Sequence, residues 1–298
     1  MDEEKFRNMQ SEMKRNKVTE LPAAGLCSGR FGQTLYGVGC SKCKVMRIDL
    51  ESGQCDKVYE CEATESIKAL ISLRRNRTER EMLAVLIMNK DGRQEGCKIC
   101  VLEERTKKNF KEQGKCSLSG ISNTEWSGRL VEMKCGLAMI LNPVNILRVW
   151  QVGHPGVREF KIPGCDYETA GMCVMENVLG KEEVLALGCW VRSGIELFSF
   201  ESNLLVKLRH IQIKYNPLGL LWIESKRTLL IGDNAENKGE MCGFKVTDRK
   251  MKSYKMKLDG NNTITILGWC VLHEESLNEK AIAIFDEKSK SLKKLKLA

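Results

Sequence analysis

From Glu182 to Asp233 the chain is a succession of short apolar runs: EEVLALGCW, IELFSF, LLVKLRHI, LGLLWIES and TLLIGDN. Short polar or glycine-containing breaks such as RSG, ESN and KR separate them. Runs this brief, rich in Leu, Ile, Val, Phe and Trp, read as strands joined by tight hairpins, and no run has the length or period of a helix. A chain so punctuated is confined to all-β architectures.

The unit recurs. Its clearest element is an apolar pair, a polar turn and then a basic strand. The pairs are Arg47-Ile48, Val101-Leu102, Val149-Trp150, Leu197-Phe198, Val246-Thr247 and Ile284-Phe285. Their second members stand at 48, 102, 150, 198, 247 and 285, giving spacings of 54, 48, 48, 49 and 38. The strands that follow include KVYECEA, VREFKIP, LLVKLRHI and LKKLKLA. A period of this size made only of short strands is the signature of a β-propeller, and the helical repeats of similar length lack support here. The expectation is a propeller of six or seven four-stranded blades over residues 18–298. Its repeats begin near Leu26, Ser66, Gly128, Ala170, Leu218 and Thr263. Residues 1–17 read as a charged arm in which Phe6, Met9 and Met13 have helical spacing. Val18–Leu21 is placed where a first strand would close the ring against the last blade and remove open sheet edges.

Composition narrows the class of protein. Hydrophobic residues make 42% of the 298 and charged residues 29%, a globular balance. No apolar run is long enough to cross a membrane. The N-terminus, MDEEKFRNMQSEMKRNK, lacks the apolar stretch of a secretion signal. The 14 cysteines are therefore expected as free thiols of a nuclear or cytoplasmic protein, many of them acting as small apolar groups inside strands.

The sequence offers little to catalysis, and the chain is read as non-enzymatic. It has only 3 histidines, His154, His210 and His273, none in a nucleophile motif. There is no G-x-S-x-G. The nearest approach to a phosphate loop, GMCVMENVLGK, has its second glycine misplaced and Glu182 where a hydroxyl residue is required. Cys40 with Cys43 and Cys97 with Cys100 form C-x-x-C pairs, but more than fifty residues part them, far beyond zinc-site spacing. No metal or cofactor is expected.

Interaction residues are easier to nominate. The basic outer strands carry Lys111, Arg158, Lys161, Lys207, Arg209, Lys255 and Lys257. Lysine on a free edge guards against edge-to-edge pairing. The same charge, with the clusters Arg74, Arg75, Arg77 and Arg105, Lys107, Lys108, fits an alternative role in nucleic-acid binding. No aromatic residues interleave the clusters, so a stacking platform for single strands is not supported. Trp150, Trp190, Trp222 and Trp269 belong to strands and the core, whereas Trp126, in the polar stretch NTEWSG, is a candidate exposed anchor for a protein partner.

The third-strand endings VWQV, LFSF and IFDE stand where WD repeats carry Trp-Asp, so the array resembles a degenerate WD-repeat propeller without the Gly-His signature. The stretch FKIPGCDYETAGMCVMENVLGKEEVLALGCWVRSGIELFSFESNLLVKLRHI, followed by YNPLGLLWIES, is similar to the middle blades of a narrower family. That family is the C-terminal propeller of the partner and localiser of the breast-cancer type 2 susceptibility protein. The likeness covers about a third of the chain. It implies a nuclear scaffold of homologous recombination that receives a peptide of a recombination mediator in a groove between neighbouring middle blades. The matching positions are Tyr215, Gly219, Leu220 and Leu221. Asn216-Pro217 puts Tyr215 on a connecting turn, where a platform presents binding residues. The competing reading is that these side chains fill the core between two blades.

Overall fold

The computed structural model describes residues 25–29, 34–39, 41–49, 55–75, 79–90, 96–106, 109–118, 127–142, 146–163, 169–189, 193–201, 203–213, 217–233, 240–247, 250–257, 266–272, 281–286 and 291–296. Apart from one 3₁₀ turn at Glu224–Lys226, their regular structure is all strand. The fold class is a β-propeller built of four-stranded blades. The chain divides into two compact units, residues 1–122 with 266–298, and residues 123–265.

In the first unit, β1 (Leu26–Ser28), β2 (Thr34–Val38), β3 (Lys44–Asp49) and β4 (Cys55–Glu60) make blade 1, and β5 (Glu65–Ser72), β6 (Met82–Asn89), β7 (Cys97–Thr106) and β8 (Asn109–Leu118) make blade 2. The second unit holds three blades. Blade 3 is β9 (Ser127–Met133), β10 (Gly136–Asn142), β11 (Ile146–Trp150) and β12 (Val157–Lys161). Blade 4 is β13 (Thr169–Val178), β14 (Lys181–Cys189), β15 (Gly194–Glu201) and β16 (Leu204–Gln212). Blade 5 is β17 (Pro217–Ile223), β18 (Thr228–Asp233), β19 (Glu240–Val246) and β20 (Met251–Lys257). Every blade is an antiparallel meander in chain order, the arrangement that short connections between successive strands dictate.

The sixth sheet belongs to the first unit and shows three strands among the described residues, β21 (Ile266–Leu272), β22 (Ala281–Asp286) and β23 (Ser291–Lys296). Among those residues five blades are four-stranded, which corrects the expected six or seven. The register explains why the final repeat spacing was short. A bulge interrupts the first strand of three blades, between Ile67 and Ala69, Thr169 and Gly171, and Pro217 and Gly219. β21 carries the same irregularity between Ile266 and Gly268, which marks it as a first strand. Ile284-Phe285 therefore lies on the second strand of its sheet, not the third, and the spacing of 38 is one strand too few. β21 lies against β1, so first strands meet here as β13 and β17 do in the second unit. The expected closing strand Val18–Leu21 and the helical arm 1–17 lie outside the described residues.

The middle strands of each blade are the core. β6, MLAVLIMN, is buried over all but its last residue, and β14 over VLALGC. Strands buried along their whole length need continuous apolar runs, whereas outer strands alternate. β16 shows that alternation, with Leu204, Lys207, Arg209, His210 and Gln212 exposed between half-buried residues. Among the described residues, three apolar clusters bind neighbouring blades within the units. One joins blades 1 and 2 through Tyr36, Val45, Ile67, Leu83 and Leu102. A second joins blades 3 and 4 through Ile140, Leu147, Leu185 and Phe198. The third joins blades 4 and 5 through Met175, Ile195, Leu197, Leu229 and Ile231.

Candidate interaction surfaces

The joint between blades 4 and 5 is where the sequence placed a peptide groove. The backbones of blades 4 and 5 approach so closely that a Cβ on Gly171 of β13 would stand 2.9 Å from the Leu220 nitrogen, and one on Gly188 of β14 2.8 Å from the Pro217 oxygen. Glycine is required by this backbone contact. Leu220 is 6% exposed and belongs to the apolar cluster of the joint. Leu221 and Trp222 are half-buried, Trp222 packing against the same cluster. The structure thus places Leu220 in the packing between blades. Tyr215 lies outside the described residues, as does Trp126.

The turns of blades 3 and 4 present a different surface. Val152, between β11 and β12, is 47% exposed, and Leu204, at the start of β16, is 66% exposed. They are the exposed large apolar side chains among the described residues. The Val152 turn is anchored by the Trp150 indole, whose Nε1 donates to the His154 carbonyl at 2.9 Å. Arg158, next in that hairpin, donates from Nη1 to Asn203 Oδ1 at 3.0 Å, tying it to the turn that carries Leu204. Below the turns, Phe160 and Phe200 meet edge to face at 5.1 Å, and the Arg158 guanidinium lies over Phe160. An arginine counted in sequence as an edge guard is here a strut between two blades.

Lys207 is another reassigned guard. Glu196 on β15 is fully buried, and its carboxylate meets Lys207 Nζ at 2.8 Å and His210 Nδ1 at 2.9 Å. His210 Nε2 lies 3.1 Å from Gln212 Oε1. The imidazole covers Gly194, where a Cβ would stand 2.3 Å from its Cε1. Both ring nitrogens are occupied, so this histidine is held as a sheet component. Nothing in the strand pattern revealed Glu196, because a lone Glu in an apolar run gives no sign of partners one strand away.

At one end of blade 2 the basic clusters of the sequence converge. Arg74, just past β5, is exposed and donates from Nη2 to Ser28 Oγ at 2.9 Å, while Arg75 beside it is half-buried. Arg80 and Arg105 both approach Glu103 Oε2, at 3.8 and 3.1 Å. Arg47 of blade 1 lies 4.0 Å from Glu104. Tyr36, under this network, has its phenol pushed up by burial first and then by Glu81 and Glu104. Arg77, Lys107 and Lys108 lie outside the described residues. Arg80 and Glu103 were not singled out in sequence, since only the pairing of hairpin ends brings them together.

Cys97 and Cys100 are buried in β7. Burial pushes the Cys100 thiol up to about 12 and that of Cys61 to about 11, so neither is a ready thiolate. Cys43 donates to Ser41 Oγ at 3.1 Å. No group of three or more metal-binding side chains occurs among the described residues, and Cys40 is outside them.

No protein-family model and no curated protein matches the chain. Solved structures do. A chain of the mitotic checkpoint complex is similar at TM-score 0.56 and 11% identity, over 93% of this chain and 90% of that one. The major Malassezia sympodialis allergen Mala s 1 is similar at 0.63 and 10%, over 91% and 94%. A luciferin-regenerating enzyme is similar at 0.57 and 10%, over 93% and 92%. At such identities the likeness is one of fold, and the neighbours differ in function.

Proposed function

We propose that this propeller is a non-enzymatic scaffold that binds a protein partner on the turn surface of blades 3 and 4. The carrying observation is the exposure of Val152 and Leu204 on two neighbouring turns linked by the Arg158–Asn203 hydrogen bond. Apolar side chains held out on rigid turns and rimmed by polar ones are the makings of an interface. The occupied ring nitrogens of His210 fit a binding rather than a catalytic role. The resemblance of the middle blades to the recombination-scaffold propeller supports a narrower form of the proposal: a nuclear, WD-repeat-like platform for a recombination mediator. In that form a peptide also contacts Tyr215 and Leu221.

The test is a quantitative pull-down from nuclear extract with Val152→Glu/Leu204→Glu. Both side chains are exposed, so stability should change by no more than about 0.5 kcal/mol each. Partner capture should fall at least tenfold, the effect of losing about 1.4 kcal/mol at an interface. Undiminished capture by a variant with an unchanged melting curve rejects this surface.

A further inference from the structure

β5 and β7 run in the same direction, so the β5–β6 and β7–β8 connections leave blade 2 at one end. Arg74 and Arg80 flank the first connection, and Arg105 precedes the second. All three are exposed. Glu103, whose side chain is only 14% exposed, holds Arg80 and Arg105 from below through a single oxygen. One carboxylate thus sets two guanidinium groups from different connections side by side. Glu81 is buried and Glu104 partly buried, so at this end most of the acidic groups lie inward and the arginines outward. Arg74 is braced from blade 1 by Ser28.

We propose that this end of blade 2 is a sequence-independent contact surface for the phosphate backbone of double-stranded nucleic acid. Guanidinium groups present a fixed fork of donors to phosphate oxygens, and a carboxylate beneath them reduces the orientational freedom lost on binding. Three exposed arginines at one end of the blade, two of them held by one carboxylate, fit neighbouring phosphates. The nearby aromatic rings, Tyr36 and Phe110, are buried against each other at 5.6 Å and offer no stacking face. That favours a duplex over a single strand. The net charge of +9 assists approach. This site lies in the first unit, and its test is independent of the scaffold proposal.

Fluorescence anisotropy with a labelled duplex DNA of about 20 base pairs, from about 50 to 200 mM salt, decides the matter. Binding is expected, with log affinity falling against log salt at a slope of about −3 for three neutralised phosphates. Arg80→Gln/Arg105→Gln should flatten the slope by about two, and Arg74→Gln alone by about one. Lys161→Gln/Arg209→Gln removes equal charge from exposed outer-strand sites of blades 3 and 4 and should leave it unchanged. If the double variant melts early, Arg74→Gln carries the test. The proposal is overturned if the duplex does not bind at the lowest salt. It also fails if the outer-strand pair flattens the slope as much, or if a single strand or a phosphoserine peptide binds more tightly than the duplex.

Discussion

The joint of blades 1 and 2 and the joint of blades 4 and 5 solve one packing problem in two ways. In the first, an apolar middle is finished at one end by polar links, Arg74 to Ser28 and Arg47 to Glu104. In the second, two glycines bring backbone against backbone over an apolar cluster, and Arg227 provides the polar strut. Charged groups can be buried only with partners, and those partners hold outward the arginines of blade 2. The glycine-tight joint is closed by backbone instead. The difference separates a joint finished at its rim by charged side chains from one finished by backbone contact.

Alkaline pH should give the largest contrast. Burial pushes Cys55 and Cys61 up to about 11, Cys100 to about 12, and raises Tyr36, Tyr59 and Cys116 as well, all in the first unit. In the second unit Cys173 is raised, again by burial. A raised folded pKa favours the protonated form in the native state. The stability these groups provide is complete below the unfolded thiol value of 9.0 and is lost as pH climbs from there toward 12. Limited proteolysis at stepped pH should therefore cut the first unit before the second. Simultaneous cutting would erase the contrast.

Glycine substitutions probe the same pair of joints at a smaller scale. Gly171→Ala must push backbone away and should cost about 2–3 kcal/mol in urea unfolding. At Gly29 the Cβ would meet Glu81 Oε1 at 2.6 Å, a side-chain end that can shift, so Gly29→Ala should cost about 1 kcal/mol. Equal costs would mean that Glu81 is as immobile as backbone.

The smallest difference is expected between two substitutions at Arg227, which is left-handed at φ 46 and donates to the carbonyls of Asn177 and Val246. Arg227→Ala keeps the strained backbone and loses both bonds, for about 1–2 kcal/mol. Arg227→Gly loses the bonds but relieves the strain and should be milder by up to about 1 kcal/mol. A glycine variant as unstable as the alanine variant would show that strain contributes little here.

The repeats were legible because hydrophobic runs must coincide with buried strands. The starts expected near Leu26, Ser66, Gly128, Ala170 and Leu218 fall within a residue or two of β1, β5, β9, β13 and β17. The sixth, expected at Thr263, lies just before β21. Only the pair Ile284-Phe285 was misplaced by one strand, since AIAIFD is equally apolar as a second or a third strand and the bulge at Ile266 to Gly268 is what tells them apart. Pairings across strands were hidden altogether. Arg80 and Arg105 are joined by Glu103, and Lys207 and His210 by Glu196. Local pattern records which face of a strand is apolar, and so the all-β class, the repeats and the basic outer strands could be read from the chain by itself. Which basic residue guards an edge, which braces two blades and which neutralises a buried acid depends on neighbours tens of residues away. Tertiary structure alone decided that, because the cost of burying a charge is met by whichever partner the fold brings within hydrogen-bonding distance.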